Sequence, residues 1–269
     1  MYTFSNRLKI ASFILMAVGV LGIGIGFVSA PATVDEAKAM VAAHDDGHGD
    51  SHGEEASHAM ASDHGEAADH DEHLLHQLQN RPWSALYVAA FFFFMIALGV
   101  LAFYGIQRAS QAGWSPMLFR VMEGITAYLV PGGIIVFVIL VLSVMHFNHL
   151  FTWMDADVVA HDKLLQNKSG YLNPTFFLIR AAIFLGGWIG YREISRRLSI
   201  AQDKSDDNSN FKKNFRWSAA FLVFYLISES IMSWDWIMSV DPHWFSTLFG
   251  WYLFASMIVS GITVIAMVT

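Results

Sequence analysis

Cysteine is absent from this chain of 269 residues, and charge is scarce: Asp, Glu, Lys and Arg make up 14% of it, against 55% hydrophobic and 14% aromatic residues. The missing thiols exclude a disulfide framework, a covalent c-type haem on C-x-x-C-H, and any iron–sulfur cluster or zinc-thiolate site held by the chain's own ligands. The shortage of charge, with a mean hydropathy of +0.42, excludes an ordinary soluble domain. The net charge of -7 is a local effect. Residues 31–82 carry twelve Asp/Glu against two Lys/Arg, a balance of -10, so the rest of the chain is at +3 and nothing points to nucleic acid.

What is present is a series of long apolar runs. The first, Ile10 to Ala30, follows Arg7 and Lys9 and ends in Val-Ser-Ala. It reads as an uncleaved anchor (residues 1–30), because it outruns a signal-peptide core of roughly 7–15 residues and Pro31 directly follows the cleavage-like triplet. Gly22 and Gly26 share a helix face and would admit a neighbouring helix closely. Five more runs follow, at 83–107, 118–147, 175–190, 215–237 and 244–268, for six spans in all. The fold class expected is an all-α integral membrane bundle. The run at 118–147 would reach roughly 45 Å against a hydrocarbon core of about 30 Å. It must tilt or bend, and Pro131 supplies the bend by withholding an amide hydrogen from the carbonyl of Ala127. The last run stops at Thr269 with no polar flank, so residues 83–269 read as a bundle truncated at its C-terminal side.

Between the anchor and the bundle, residues 31–82 are rich in Ala, Gly, Asp and His and poor in large apolar side chains, a composition expected to be partly disordered. Eight His stand at 44, 48, 52, 58, 64, 70, 73 and 76. Imidazole suits Zn and Cu, but the irregular spacing defines no coordination geometry, and a solvated acidic linker is the expectation. Lys and Arg counted over alternate loops give ten against four, which orients the N-terminus and the 191–216 connection toward the cytoplasm and residues 31–82 toward the periplasm.

Ionisable side chains within the spans cost about 2.5–3.5 kcal/mol each at a helix centre on insertion scales, so each needs a reason. Glu123, Arg180, Glu229 and Asp235 are of this kind. Glu229 lies between Ser228 and Ser230, with Tyr225, Ser233 and Trp236 near its face; Arg180 is its candidate partner if the fourth and fifth spans touch. Asp235, six positions on, would lie about 120° round an α-helix and 9 Å along it, too far to share a proton directly. At the outer edge, His146 and His149 fall on nearly one face at the end of the third span, followed by Asp155. Asp241 and His243 stand in an Asp-Pro-His turn inside SWDWIMSVDPHWFSTLFGWY (233–252), whose four Trp are in part ordinary interfacial anchoring, while Asp235, Asp241 and His243 within nine residues exceed what anchoring requires. His and Asp here could bind a quinone head group or accept its proton. A mid-membrane bis-His haem is disfavoured, since His146, His149, His161 and His243 all lie at or beyond the outer edge.

Five stretches carry a family resemblance: HQLQNRPW (76–83), AGWSPMLFRVMEGITAYL (112–129), HFNHLFTWMD (146–155), FFLIRAAIFL (176–185) and SESIMSWDWIMSVDPHWFSTLFGWY (228–252). With them the chain resembles the polysulfide-reductase-like (NrfD-type) membrane family, and within it the F-type quinone subunits of bacterial alternative complex III, a quinol:electron-acceptor oxidoreductase. The resemblance implies two four-helix bundles with flanking helices, about ten spans in a full-length member. It implies a paralogous C subunit, an iron–sulfur subunit, multihaem cytochrome subunits and small membrane subunits as partners, which would carry the iron–sulfur clusters and haems. Menaquinone or its quinol is the implied small molecule, and no covalently bound cofactor or metal is expected on this chain.

The quinone-site candidates are His146, His149, Asp155, Asp235, Asp241 and His243. The proton-path candidates are Glu123, Tyr128, Arg180, Tyr225, Ser228, Glu229 and Asp235. No residue is assigned a catalytic role. The function expected is a membrane subunit of a respiratory quinol oxidoreductase in the bacterial cytoplasmic membrane, supporting quinol oxidation and proton translocation. The alternatives are a scaffold with a vestigial quinone site, and a divalent-metal transporter with the His-rich segment as collector.

Overall fold

A computed structural model describes residues 6–45 and 64–269. Its helices are α1 (Asn6–Val28), α2 (Val34–Asp45), α3 (His64–Ala109), α4 (Phe119–Ile125), α5 (Leu129–Val144), α6 (Ala156–His161), α7 (Lys163–Lys168), α8 (Pro174–Gln202), α9 (Ser209–Met232) and α10 (Phe249–Val268). There is no strand among the described residues. Among the described residues six segments are long and apolar enough to cross a bilayer: Lys9–Val28, Leu74–Ala109, Pro116–Val144, Pro174–Gln202, Ser209–Val240 and Phe249–Val268. The chain is an all-α, multi-pass membrane protein, as its composition requires: in hydrocarbon a helix satisfies its own backbone groups and an open strand cannot.

The chain divides into two units at Leu86–Tyr87, inside α3. In the first, the apolar side chains of α1 are exposed for want of other protein, as on a lipid-facing helix. Near its end Phe27 meets Trp83 edge to face at 4.9 Å, and Gly26 leaves room for Pro82, 3.6 Å from where a Cβ would stand. Gly22 faces open space, so only one of the two small positions receives a helix. The Gln79 side chain donates to the carbonyl of Pro31. Residues 34–45 form a helix because Thr33 and Glu36 act as a capping pair: Thr33 Oγ1 accepts from Glu36 N, and Glu36 Oε2 accepts from Ala32 N. The segment from His64 onward is already helical and runs into the second span without a break. His48, His52 and His58 lie outside the described residues.

The second unit packs the remainder of α3 with α4–α5, α8, α9 and α10, and α8 and α9 pair most extensively. Its fully buried side chains include Phe94, Leu98, Met122, Leu140, Phe177, Trp188, Tyr225, Met232 and Trp236. Close approach is set by glycine at the crossing of α3 and α10. A Cβ on Gly99 would stand 2.3 Å from the carbonyl oxygen of Met257, and one on Gly261 3.0 Å from Val100 N. Two backbones touch there with no room for a side chain, the way membrane helices gain dispersion contact.

Three departures from ideal α-helix shape the second unit. The third span tightens to a 3-10 turn over Thr126–Tyr128, directly before Pro131, whose missing amide leaves the Ala127 carbonyl without its helical donor. The fourth span does not stop near Gly190 but stays helical to Gln202, because Arg192, Ser195 and Ser199 are buried by neighbouring helices and are not free to serve as a loop. The fifth span opens into a π-turn over Ser233–Ile237 and ends in a 3-10 turn at Val240.

Candidate functional site

The π-turn is the centre of the site. An i→i+5 turn inserts an extra residue and leaves carbonyls without their usual donors, and side chains supply them here. The Trp236 carbonyl accepts from the Tyr87 hydroxyl at 2.8 Å, and the Asp235 carbonyl accepts from Ser239 Oγ. The turn points Asp235 inward, where it is fully buried. Both carboxylate oxygens meet one guanidinium: Arg180 Nε lies 2.6 Å from Oδ2 and Nη2 lies 3.0 Å from Oδ1. Arg180 is itself 6% exposed. Its Nη1 donates to the Tyr171 carbonyl at 3.2 Å, and its guanidinium lies over the rings of Tyr171 and Phe176 at 4.1 and 4.3 Å. A bidentate pair with stacked aromatic faces is the arrangement in which a buried Arg–carboxylate pair is best compensated.

Arg180 therefore pairs with Asp235, whereas the spacing had offered it to Glu229. Asp235 lies inside the π-turn, so the ideal α-helical geometry assumed for its separation from Glu229 does not hold beyond Met232. Glu229 is 2% exposed, and its Oε1 has no hydrogen-bond partner. Beside it, Ser228 Oγ accepts from Trp188 Nε1 at 2.9 Å, and the Tyr225 hydroxyl points to Met257 Sδ at 3.9 Å.

The connections 145–173 and 241–248 enclose one end of this bundle. A cavity of about 380 Å³ lies there, lined by Lys168, Tyr171, Trp234, Ser239, Trp244 and Phe245, among others. Its walls are tied together twice. His243 Nε2 lies 2.7 Å from Asp162 Oδ2, and Lys168 Nζ donates to the Pro242 carbonyl at 2.6 Å. Asp162 also caps α7 by accepting from Leu164 N and Leu165 N. Slight desolvation raises its pKa, but the two N–H groups and the His243 imidazole outweigh that and hold it below the usual carboxylate range. The Tyr171 hydroxyl is pushed above the usual phenol range, first by burial and then by the Asp235 charge, with Arg180 opposing.

The other quinone-site candidates take separate places. Asp155 caps α6, accepting from Asp157 N at 3.0 Å. Asp241 accepts from His243 N at 3.1 Å within its turn. His146 and His149 do not share a helix face: α5 ends at Val144 and His146 takes a left-handed conformation at φ 59°. Asn148 folds back there to accept from Ser143 Oγ at 2.8 Å, so the chain has turned before His149 is reached. None of His146, His149, Asp155, Asp241 and His243 lines the cavity, and Asp235 stands one contact behind it, through Ser239.

At the opposite end of the bundle a second polar cluster surrounds Glu123. Its Oε1 accepts from the Tyr104 hydroxyl at 3.0 Å, and Arg120 Nη1 lies 2.6 Å from Oε2. Arg108 donates to Tyr104 at 3.1 Å and to Ser199 at 2.9 Å, with its guanidinium 3.9 Å over the Phe119 ring. Ser195 continues the chain from Tyr104 (3.2 Å) to Asn214 (2.6 Å), and the Tyr191 hydroxyl meets Ser218 at 2.8 Å. Tyr128 stands apart, 38% exposed with its ring against Gly132.

Sequence reasoning missed Tyr104, Arg108, Arg120, Asp162, Lys168 and Tyr171. Arg120 was legible as the i, i+3 partner of Glu123, Arg108 as the i, i+4 partner of Tyr104, and Asp162 as the cap of α7; Lys168 and Tyr171 meet their partners only through tertiary contact. No protein-family model and no characterised protein matches the chain.

Proposed function

We propose that this chain is a quinol-binding membrane subunit of a respiratory quinol:electron-acceptor oxidoreductase, with the aromatic cavity between residues 167–172 and 234–245 as its head-group site. One observation carries this reading: a Trp- and Tyr-walled cleft of about 380 Å³ stands one contact from the buried Arg180–Asp235 pair in a multi-span bundle. The volume falls in the usual range for small-molecule sites, with apolar walls and a few directed polar groups. The residues suit a quinone: flat rings from Trp234, Trp244 and Phe245, and polar atoms from Tyr171, Ser239 and Lys168. Asp241 and His243 flank the lining residue Pro242.

The loop charge balance supports placing this end outside the cytoplasmic membrane of a bacterium. The motif resemblance supports a paralogous C subunit, iron–sulfur and multihaem subunits and small membrane subunits as partners, with the redox centres on those chains. The buried polar side chains from Tyr104 on α3 and Glu123 on α4 through Ser195 on α8 and Asn214 and Ser218 on α9 toward Ser228, Glu229 and Asp235 support a proton path along the bundle.

The test is turnover of a soluble quinol by the complex purified through this chain, with Asp235→Asn and Glu229→Gln variants. Quinol oxidation reduced at least tenfold in the first, and altered proton release in the second, are the expected results. Undiminished rates and proton stoichiometry in intact complexes carrying either change would leave a scaffold.

A further inference from the structure

At the end of the bundle where the loop Lys and Arg concentrate, α8 carries a buried cation with an unused hydrogen. Arg192 is 7% exposed, and its Nε has no hydrogen-bond partner. Its Nη1 donates to the carboxylate of the adjacent Glu193. Glu123 and Asp203, at the same end, are engaged by Arg108 and Arg120. A guanidinium N–H shut away from water in this way loses its solvation without return, so it calls for an acceptor. At 1.5 Å per residue Arg192 stands about 27 Å along α8 from Pro174. A helix that enters a hydrocarbon core of about 30 Å near Pro174 therefore delivers Arg192 to the opposite headgroups. Arg196 and Arg197 follow one turn on, both exposed, and three Arg against one Glu give residues 192–197 a charge of +2.

Toward the membrane centre the same helix offers a track for a hydrocarbon chain. Ala182, Gly186 and Gly190 recur at every fourth residue and so share a face. Ala182 and Gly186 are exposed, and a Cβ on Gly186 or Gly190 would meet nothing within 4 Å. Gly187, one residue round the helix, instead packs against the Phe224 ring. The open face runs on through Glu193 to Arg197, so the bond from Arg192 to Glu193 draws the buried guanidinium round to the foot of the track.

We propose that this end of α8 binds an anionic phospholipid, with its phosphate on Arg192, Arg196 and Arg197 and one acyl chain along Ala182, Gly186 and Gly190. A phosphate oxygen accepts from the free Nε–H, and the guanidinium fork matches phosphate geometry. Net positive charge between helices at headgroup depth favours an anionic over a zwitterionic head. A soluble phosphate compound could use the same arginines but would leave the track bare; the open small-residue face favours a lipid. The proposal is independent of the quinol-binding reading.

The experiment is native mass spectrometry of the full chain, delipidated in a nonionic detergent, with dioleoyl phosphatidylglycerol, dioleoyl phosphatidylcholine or inorganic phosphate as the added probe. Phosphatidylglycerol should bind at least about tenfold more tightly than phosphatidylcholine, and millimolar phosphate should not displace it. Arg192→Gln, and separately Arg196→Gln combined with Arg197→Gln, should weaken phosphatidylglycerol binding by about fivefold or more, the size of one basic side chain lost from an anionic headgroup. Gly186→Leu fills the track from a position with free space around it and should weaken binding while melting like the parent. Lys212→Gln removes an exposed cation from α9 and should leave the affinity unchanged. Equal affinity for the two lipids, displacement by phosphate alone, or an equal loss in Lys212→Gln and the arginine variants would overturn the proposal. So would unchanged binding in Gly186→Leu, which would give the small-residue face to a neighbouring protein helix. Should Arg192→Gln fail to fold, the exposed Arg196–Arg197 pair and Gly186→Leu decide the matter.

Discussion

Replacing Asp235 by Asn should be the most damaging near-isosteric change in this protein, and the size of the effect follows from the geometry. The carboxylate is fully buried and Arg180 is 6% exposed, so the substitution strands a guanidinium in an environment of aromatic rings. Arg180 keeps its bond to the Tyr171 carbonyl and its stacking on Tyr171 and Phe176, but loses the counter-charge at 2.6 Å. Breaking one side of such a pair costs about 3–5 kcal/mol, whereas replacing both partners by apolar residues of similar volume is often neutral or better. Arg180→Met should cost a similar amount, and Arg180→Met with Asp235→Leu far less than the sum of the single changes. Thermal unfolding of the purified protein in detergent, followed by tryptophan emission, reads this out. At about 2–4 °C per kcal/mol for a unit of this size, each single variant should melt roughly 6–20 °C lower and the double variant within a few degrees of the parent. Additive losses, or single-variant shifts under about 2 °C, would refute the claim that these groups form one electrostatic unit.

Three further outcomes are expected. Gly99→Ala drives a methyl into the Met257 carbonyl at the α3–α10 crossing and should cost about 1–3 kcal/mol or more of overpacking, while Gly113→Ala, in open space, should melt like the parent. Glu123→Gln removes the carboxylate shared by Arg120, Arg108 and Tyr104 and should lower stability by about 2–3 kcal/mol. Arg120→Gln should lower it by less than about 1 kcal/mol in the same unfolding assay, because Arg120 is 45% exposed. Acid should loosen the cavity rim: the folded-state pKa of Asp162 is depressed, so its tie between α7 and the 241–245 turn is complete above the ordinary aspartate value of about 3.9 and is lost as pH falls through the lower folded value. Limited proteolysis at 162–172 should rise over that acidic interval and should not in Asp162→Asn, which is loosened at every pH.

The sequence by itself determined the class of the protein and the neighbourhood of its chemistry. Hydropathy runs are local, and a bilayer demands helices of a fixed minimum length, so six spans could be counted without any tertiary information. The cost of an ion in hydrocarbon likewise singled out Glu123, Arg180, Glu229 and Asp235 before any partner was visible. What the tertiary structure decided was pairing. Spacing offered Arg180 to Glu229, and the structure pairs it with Asp235 at the π-turn over Ser233–Ile237. A one-residue change in helical register leaves no mark in composition or periodicity. Where α5 stops was equally illegible: Ser143 and Asn148 close the chain on itself through a side-chain bond, which separates His146 from His149. The cavity was legible only in part: Trp234 and Trp244 belonged to the dense aromatic stretch at 233–252, while Tyr171 and Lys168 sit in an ordinary polar stretch and gain their roles from Arg180 on α8 and from the turn at Pro242 before α10.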